Sequence, residues 1–158
     1  WLNRVRPRCN AVEALQVMLR DPPPASPEGA GAGAACLALG GTMDAARKVI
    51  VALPIGQRAL AAGVVFEAGH PVADMGDDVS AAPIMKLVLE FWPENYQALY
   101  HAGMSEYALG RPSDARPLLE KFLELYTYDD GFTRAAKQAL KRIEYSLPPE
   151  GGSRPIEH

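Results

Sequence analysis

The chain has 158 residues, 48% of them hydrophobic and 22% charged, enough for one domain with a core and too few for two large ones. Its formal charge of −3 lacks the basic excess on which nucleic-acid binding depends, so no nucleic-acid partner is expected. The longest uncharged run, 29–43, is 15 residues and glycine-rich, shorter than the roughly 18–20 apolar residues that cross a bilayer.

The opening "WLNRVRPR" reads as a solvated N-terminal arm over 1–9. Its Trp1 with Arg4, Arg6 and Arg8 also resembles the flank of a membrane segment, which would allow association with a membrane-embedded complex through residues 1–8. The start at Trp1 rather than Met suggests a processed end or a piece of a longer polypeptide. Cys9 and Cys36 have no CxxC spacing and no companion histidines, so neither a disulfide framework nor a zinc site is expected of them.

Helical periodicity then runs down the chain. In "NAVEALQVMLRD" (10–21) Val12, Leu15 and Leu19, with Met18 beside them, form an apolar stripe, and the prolines at 22–24 stop the helix. Helices are predicted over 26–40, with Ser26 as cap and Pro27 in the first position, and over 42–54, with Thr42 as cap and Pro54 as terminator. Others are predicted over 57–69, 80–92, 95–110, 113–126 and 130–147. The segment "HPVADMGDD" (70–78) reads as a loop, and 148–158 as a disordered tail. No strand is expected, since "VIVAL" lies inside a helical stripe.

One phrase occurs twice. "SAAPIMKLVLEFW" (80–92) returns 34 residues later as "DARPLLEKFLELY" (114–126), with Ala81, Pro83, Leu89 and Glu90 answered by Ala115, Pro117, Leu123 and Glu124. The paired prolines suggest helices starting late, near Ser80 and Ser113, where a proline in the first turn costs little. The preceding helices carry Gly33-"AACLAL"-Gly40 and Gly103-"MSEYAL"-Gly110. The first glycine of each pair lets helices approach closely, and the second suits a left-handed helix end.

With Leu99, Gly103, Gly110, Ala115, Leu119 and Leu123 in 96–129, this pattern resembles the tetratricopeptide repeat, a helix–turn–helix unit of about 34 residues. A second unit is read at about 56–93 from Gly63, Phe66, Ala81, Met85 and Pro93, with an insertion at 70–78. A third is read at about 26–55 from Gly33, Gly40, Ala45, Val49 and Leu53, and 130–147 as the capping helix. Glu106 stands where the family has a large hydrophobic residue. The resemblance implies an all-α, right-handed α–α solenoid of antiparallel helix pairs over 10–147. It also implies a protein or peptide partner held on the concave face by Leu37, Leu60, Val64, Glu67, Gln97, Tyr100, Met104 and Tyr107. Family members that clamp a terminal carboxylate use Lys, Arg and Asn where this chain has Gly31, Ala61 and His101, so that specificity is not expected.

Catalytic patterns fail on context. "GAGAGAA" (29–35) lacks the strand a dinucleotide loop needs, and a calcium loop opening at Asp74 would need Glu where Met85 stands. His70, read in the loop, His101 in a helix and His158 in the tail look scattered, with no metal set among them. The expectation is a non-enzymatic binding or scaffolding module without cofactor; the alternative is a structural or accessory subunit of a membrane-associated complex, touching neighbours through its arm and edges. Richness in Ala, Gly, Pro and Arg suggests a bacterial source.

Overall fold

A computed structural model describes residues 1–146, and in that span the chain is all-helical, with no strand. The expected tail at 148–158 lies outside the described residues, as does the last residue of the helix expected to end at 147. Nine α-helices are described: α1 (Leu2–Val5), α2 (Ala14–Arg20), α3 (Pro27–Leu39), α4 (Met43–Val51), α5 (Ile55–Asp74), α6 (Asp78–Phe91), α7 (Tyr96–Ala108), α8 (Pro112–Leu125) and α9 (Gly131–Ser146). A 3-10 turn at Arg6–Arg8 follows α1.

Side-chain oxygens start four of these helices. Ser26 Oγ accepts from the Gly29 N–H at 2.9 Å, Asp77 Oδ1 from Ser80 at 3.2 Å and Asn95 Oδ1 from Ala98 at 3.0 Å. Asp130 Oδ1 takes the N–H groups of Phe132 and Thr133 at the head of α9. Each such cap contributes about 1 kcal/mol by pairing a donor that the helix leaves orphaned. Thr42 occupies the capping position of α4, but its hydroxyl accepts no bond there.

Helix ends carry the clearest repetition. Gly41, Gly76 and Gly110 have φ of 80°, 76° and 74°, and no other residue described has positive φ. Their N–H groups reach Ala38, Ala73 and Tyr107 carbonyls, each at 3.0 Å. The next N–H groups, of Thr42, Asp77 and Arg111, reach back to Leu37, Val72 and Glu106. This paired reach is the Schellman motif, formed three times at 35- and 34-residue intervals. Gly40, expected to be the left-handed residue of the first unit, is right-handed at φ −78°, and Gly41 does that work.

The middle unit differs from its sequence reading. Residues 70–74 belong to α5 rather than to a loop, because exposed Pro71 sits in the helix with water available to the carbonyl it frees. The extra length lies at the front of α5, which has 20 residues against 13 in α3 and 13 in α7. The close-approach glycine is Gly69 rather than Gly63. A Cβ on Gly69 would stand 2.6 Å from Ile84 Cγ2, and one on Gly103 would stand 2.6 Å from Leu119 Cδ2. One on Gly63 meets nothing nearer than Trp92 at 3.7 Å. The helices begin at Asp78 and Pro112, close to the expected Ser80 and Ser113, but Pro83 and Pro117 are each the sixth residue and so lie past the first turn. Both prolines face water, which can serve the unpaired carbonyls one turn earlier.

The core falls into two clusters. Val17, Cys36, Ile50, Val65, Ile84, Met85 and Leu87 anchor the larger, across α2–α6. Leu99, Leu119, Phe122 and Ile143 anchor the smaller, across α7–α9, each side chain contributing roughly 1.5–3 kcal/mol by leaving water. Leu89 and Leu118 pack against both clusters and join them.

The N-terminal residues are folded onto this body, contrary to the solvated arm. Val5 is buried, the Trp1 indole donates to the Asp21 carbonyl at 2.7 Å, and Arg6 donates to the Ala68 carbonyl at 3.1 Å. Arg4 pairs with Asp21, and Arg8 lies 3.4 Å from Glu13. Cys9 and Cys36 form a disulfide, with Cα atoms 4.8 Å apart, although nothing in their spacing supported a disulfide framework. The apolar stripe of α2 is reversed as well. Ala14, Val17 and half-buried Met18 face the core, while Val12, Leu15 and Leu19 are 86%, 53% and 76% exposed.

Candidate functional site

Two of the eight residues expected to hold a partner, Gln97 and Tyr100, line a cavity of about 330 Å³ at the junction of α5, α7, α8 and α9. The others do not. Leu37 is in the core at 2% exposure, and Met104 and Tyr107 pack half-buried on the smaller cluster. Leu60, Val64 and Glu67 lie earlier on α5, outside the cavity. Of the four expected on α7, only the two near its start, Gln97 and Tyr100, face the cleft.

Aromatic rings form most of the cavity wall. Tyr100 on α7 meets Phe122 of α8 at 5.2 Å and Phe132 of α9 edge-on at 5.3 Å, and Phe122 stacks on Tyr126 at 5.2 Å. Tyr96 at the start of α7 lies 5.1 Å from Tyr126. Such pairs add about 0.5–1.5 kcal/mol each beyond area burial, which fixes the wall before anything enters. The Tyr126 hydroxyl donates to Asp130, the residue that caps α9. That bond pushes the Tyr126 pKa up to about 12 and holds the Asp130 carboxyl below its usual range. One carboxylate therefore locks both the α9 start and the rim tyrosine. Burial, with Asp130 adding to it, raises the Tyr100 phenol too.

The opposite wall is polar. His70 and Asp74, four residues apart on α5, meet His101 of α7 there. His70 Nε2 is 3.6 Å from Asp74 Oδ1 and His101 Nε2 is 3.9 Å from the same oxygen. The histidine rings lie edge to face at 4.8 Å, and His70 stacks on Phe66 at 5.0 Å. Burial, then the neighbouring His70, lowers the His101 pKa, against an opposing pull from Asp74. Two of the three histidines read as scattered, His70 and His101, are in fact a pair, because α5 continues through Pro71; His158 lies outside the described residues. The legible signal was the His-x3-Asp spacing, which has meaning only on a helix.

Comparison with protein-family models, curated proteins and solved structures finds no match to this chain.

A second polar cluster lies outside the cavity. Glu106 is buried at 1% exposure, with Lys86 Nζ and Arg111 Nη1 each 3.4 Å away. Both cations are about half exposed, so the carboxylate is the only fully desolvated member. Beside it the buried Ser105 hydroxyl donates to Asp78 at 2.8 Å, tying α7 to the head of α6.

Proposed function

We propose that the chain is a tetratricopeptide-like helical repeat, a right-handed solenoid of helix pairs, working as a non-catalytic module that binds a protein segment. The observation that carries this reading is the threefold Schellman turn at 34–35-residue intervals, with a close-approach glycine seven residues before each of the last two. Backbone repetition of that kind marks a supersecondary unit reused to bury one face against its neighbour. The cavity beside Tyr100 supplies the binding function: about 330 Å³ of ring-lined space holds one or two apolar side chains. The partner is then an extended or helical segment with an aromatic or aliphatic anchor. The Cys9–Cys36 disulfide favours an oxidising compartment as the place of work.

Selection of a displayed random-peptide library on the folded chain tests this. The expected result is a consensus with one bulky apolar anchor, weakened by Tyr100→Ala and by Gln97→Arg, whose exposed site spares the fold. Selection without a consensus, or a consensus indifferent to both variants, refutes the cavity as the binding site.

A second reading, a structural subunit that meets neighbours through its edge, is favoured by one observation. Leu15 and Leu19 on α2, with Val12 just before it, form an apolar and solvent-facing stripe. Charged replacement of Leu15 and Leu19 would disrupt assembly in that reading and leave peptide selection untouched.

A further inference from the structure

We propose that His70, Asp74 and His101 form a site for one divalent transition-metal ion of the zinc type, held between α5 and α7 at the cavity wall. The inference goes beyond peptide binding and rests on different residues. Zinc sits about 2.0–2.2 Å from imidazole nitrogen and carboxylate oxygen, so donors around one tetrahedral ion stand about 3.4 Å apart. The two spacings to Asp74 Oδ1, 3.6 and 3.9 Å, are near that value, and all three donor atoms lie within 4.8 Å of one another. The widest of these separations has to close by about 1.4 Å to seat a tetrahedral ion, a movement that rotation of the side chains can supply.

The chemistry of the donors agrees with the geometry. Two imidazoles and one carboxylate are the mixed nitrogen–oxygen set that late first-row divalent ions prefer, and calcium and magnesium do not. Both rings turn Nε2 toward the same carboxylate oxygen. His101 is mostly buried, so its ring is held in place by its surroundings beside the Asp74 carboxylate. His70 is held by its stack on Phe66, and Asp74 is anchored one helical turn beyond it. Three protein ligands leave a coordination position open, and because all three line the cavity, that position faces its interior. A bound ion would also clip α5 to α7, two helices otherwise joined largely through α6.

The test is titration of untagged protein with zinc chloride by calorimetry, with helicity followed by circular dichroism. One equivalent should bind the parent chain. Asp74→Asn alters an exposed side chain and His70→Phe keeps the ring stack, so both should remain folded. Each should lose more than the roughly 10–100-fold in affinity that loss of a mere outer-sphere partner costs. Parent protein that binds no zinc, or folded variants that bind it as tightly as the parent, would overturn the site; the latter result would put the ion elsewhere, for example on His158.

Discussion

Reduction of the Cys9–Cys36 bond is the most informative perturbation of the fold. The bond closes a loop with a sequence separation of 27, and for that length the chain-entropy argument gives about 3–4 kcal/mol of stabilisation. At roughly 3 °C per kcal/mol for a domain of this size, thermal unfolding should fall by about 10 °C when the thiols are reduced. Comparing oxidised and reduced forms of one sequence avoids the cavity that replacing fully buried Cys36 would leave. The loss should begin at the N-terminal end, where few side chains besides Val5, Ala14 and Val17 are buried. Amide exchange should therefore rise first in residues 1–20, while α7 and α8 stay protected. The assays are melting with and without a phosphine reductant, and exchange mass spectrometry on both forms. An unchanged melting temperature with unchanged exchange would refute this account, as would two alkylatable thiols in protein folded under oxidising conditions.

Three further outcomes follow from the packing. Gly29→Ala should destabilise strongly, since its Cβ would stand 1.8 Å from the Pro24 carbonyl oxygen, whereas Gly56→Ala meets nothing and should stabilise by up to about 1 kcal/mol in a chemical melt. Burial lowers the His101 pKa, so the unfolded chain takes up its proton first, near pH 6.5. That contribution to stability is present above pH 6.5 and is lost as pH falls toward the lowered folded value; the neighbouring His70 adds to the lowering and Asp74 opposes it. Melts between pH 7.5 and about 5 should therefore be flatter in His101→Gln than in the parent; equal slopes would contradict the assignment. Glu106→Leu should be neutral or stabilising by up to about 2 kcal/mol, whereas Lys86→Met with Arg111→Met should cost about 3 kcal/mol by stranding a buried carboxylate; urea midpoints distinguish the two.

Much of the helical layout was legible, because its punctuation is local. Ser26-Pro27, Pro54, Pro93 and the 34-residue phrase are all visible in one dimension. Proline misled at Pro71, which stays inside α5 on a wet face, whereas Pro83 and Pro117 were expected inside their helices and lie there, deeper than the first turn. Reading 70–78 as a loop then displaced the glycine register and hid the His70–Asp74 spacing. The α2 stripe shows another limit of periodicity, which finds an apolar face but not which face is covered. There the small residues Ala14 and Val17 took the buried side. The disulfide had no local signature, because the two cysteines meet only through the return of the chain from α1 across to α3. Of the cavity, Gln97 and Tyr100 could be found by helical phase; Phe122, Tyr126 and Phe132 required knowing how α8 and α9 turn back.

A chain that repeats itself must also tell its own copies apart while folding. Val72 and Glu106 occupy the same place in successive units, 34 residues apart, each lending its carbonyl to the turn that follows. Lys86, which meets Glu106 from α6, is matched one period later by Glu120 on α8. A docking slipped by one unit would thus bring carboxylate against carboxylate, where the correct one brings carboxylate to ammonium. Buried Glu106 adds little to net stability; under the proposed repeat reading its charge would serve as an address, penalising the wrong neighbour more than it rewards the right one.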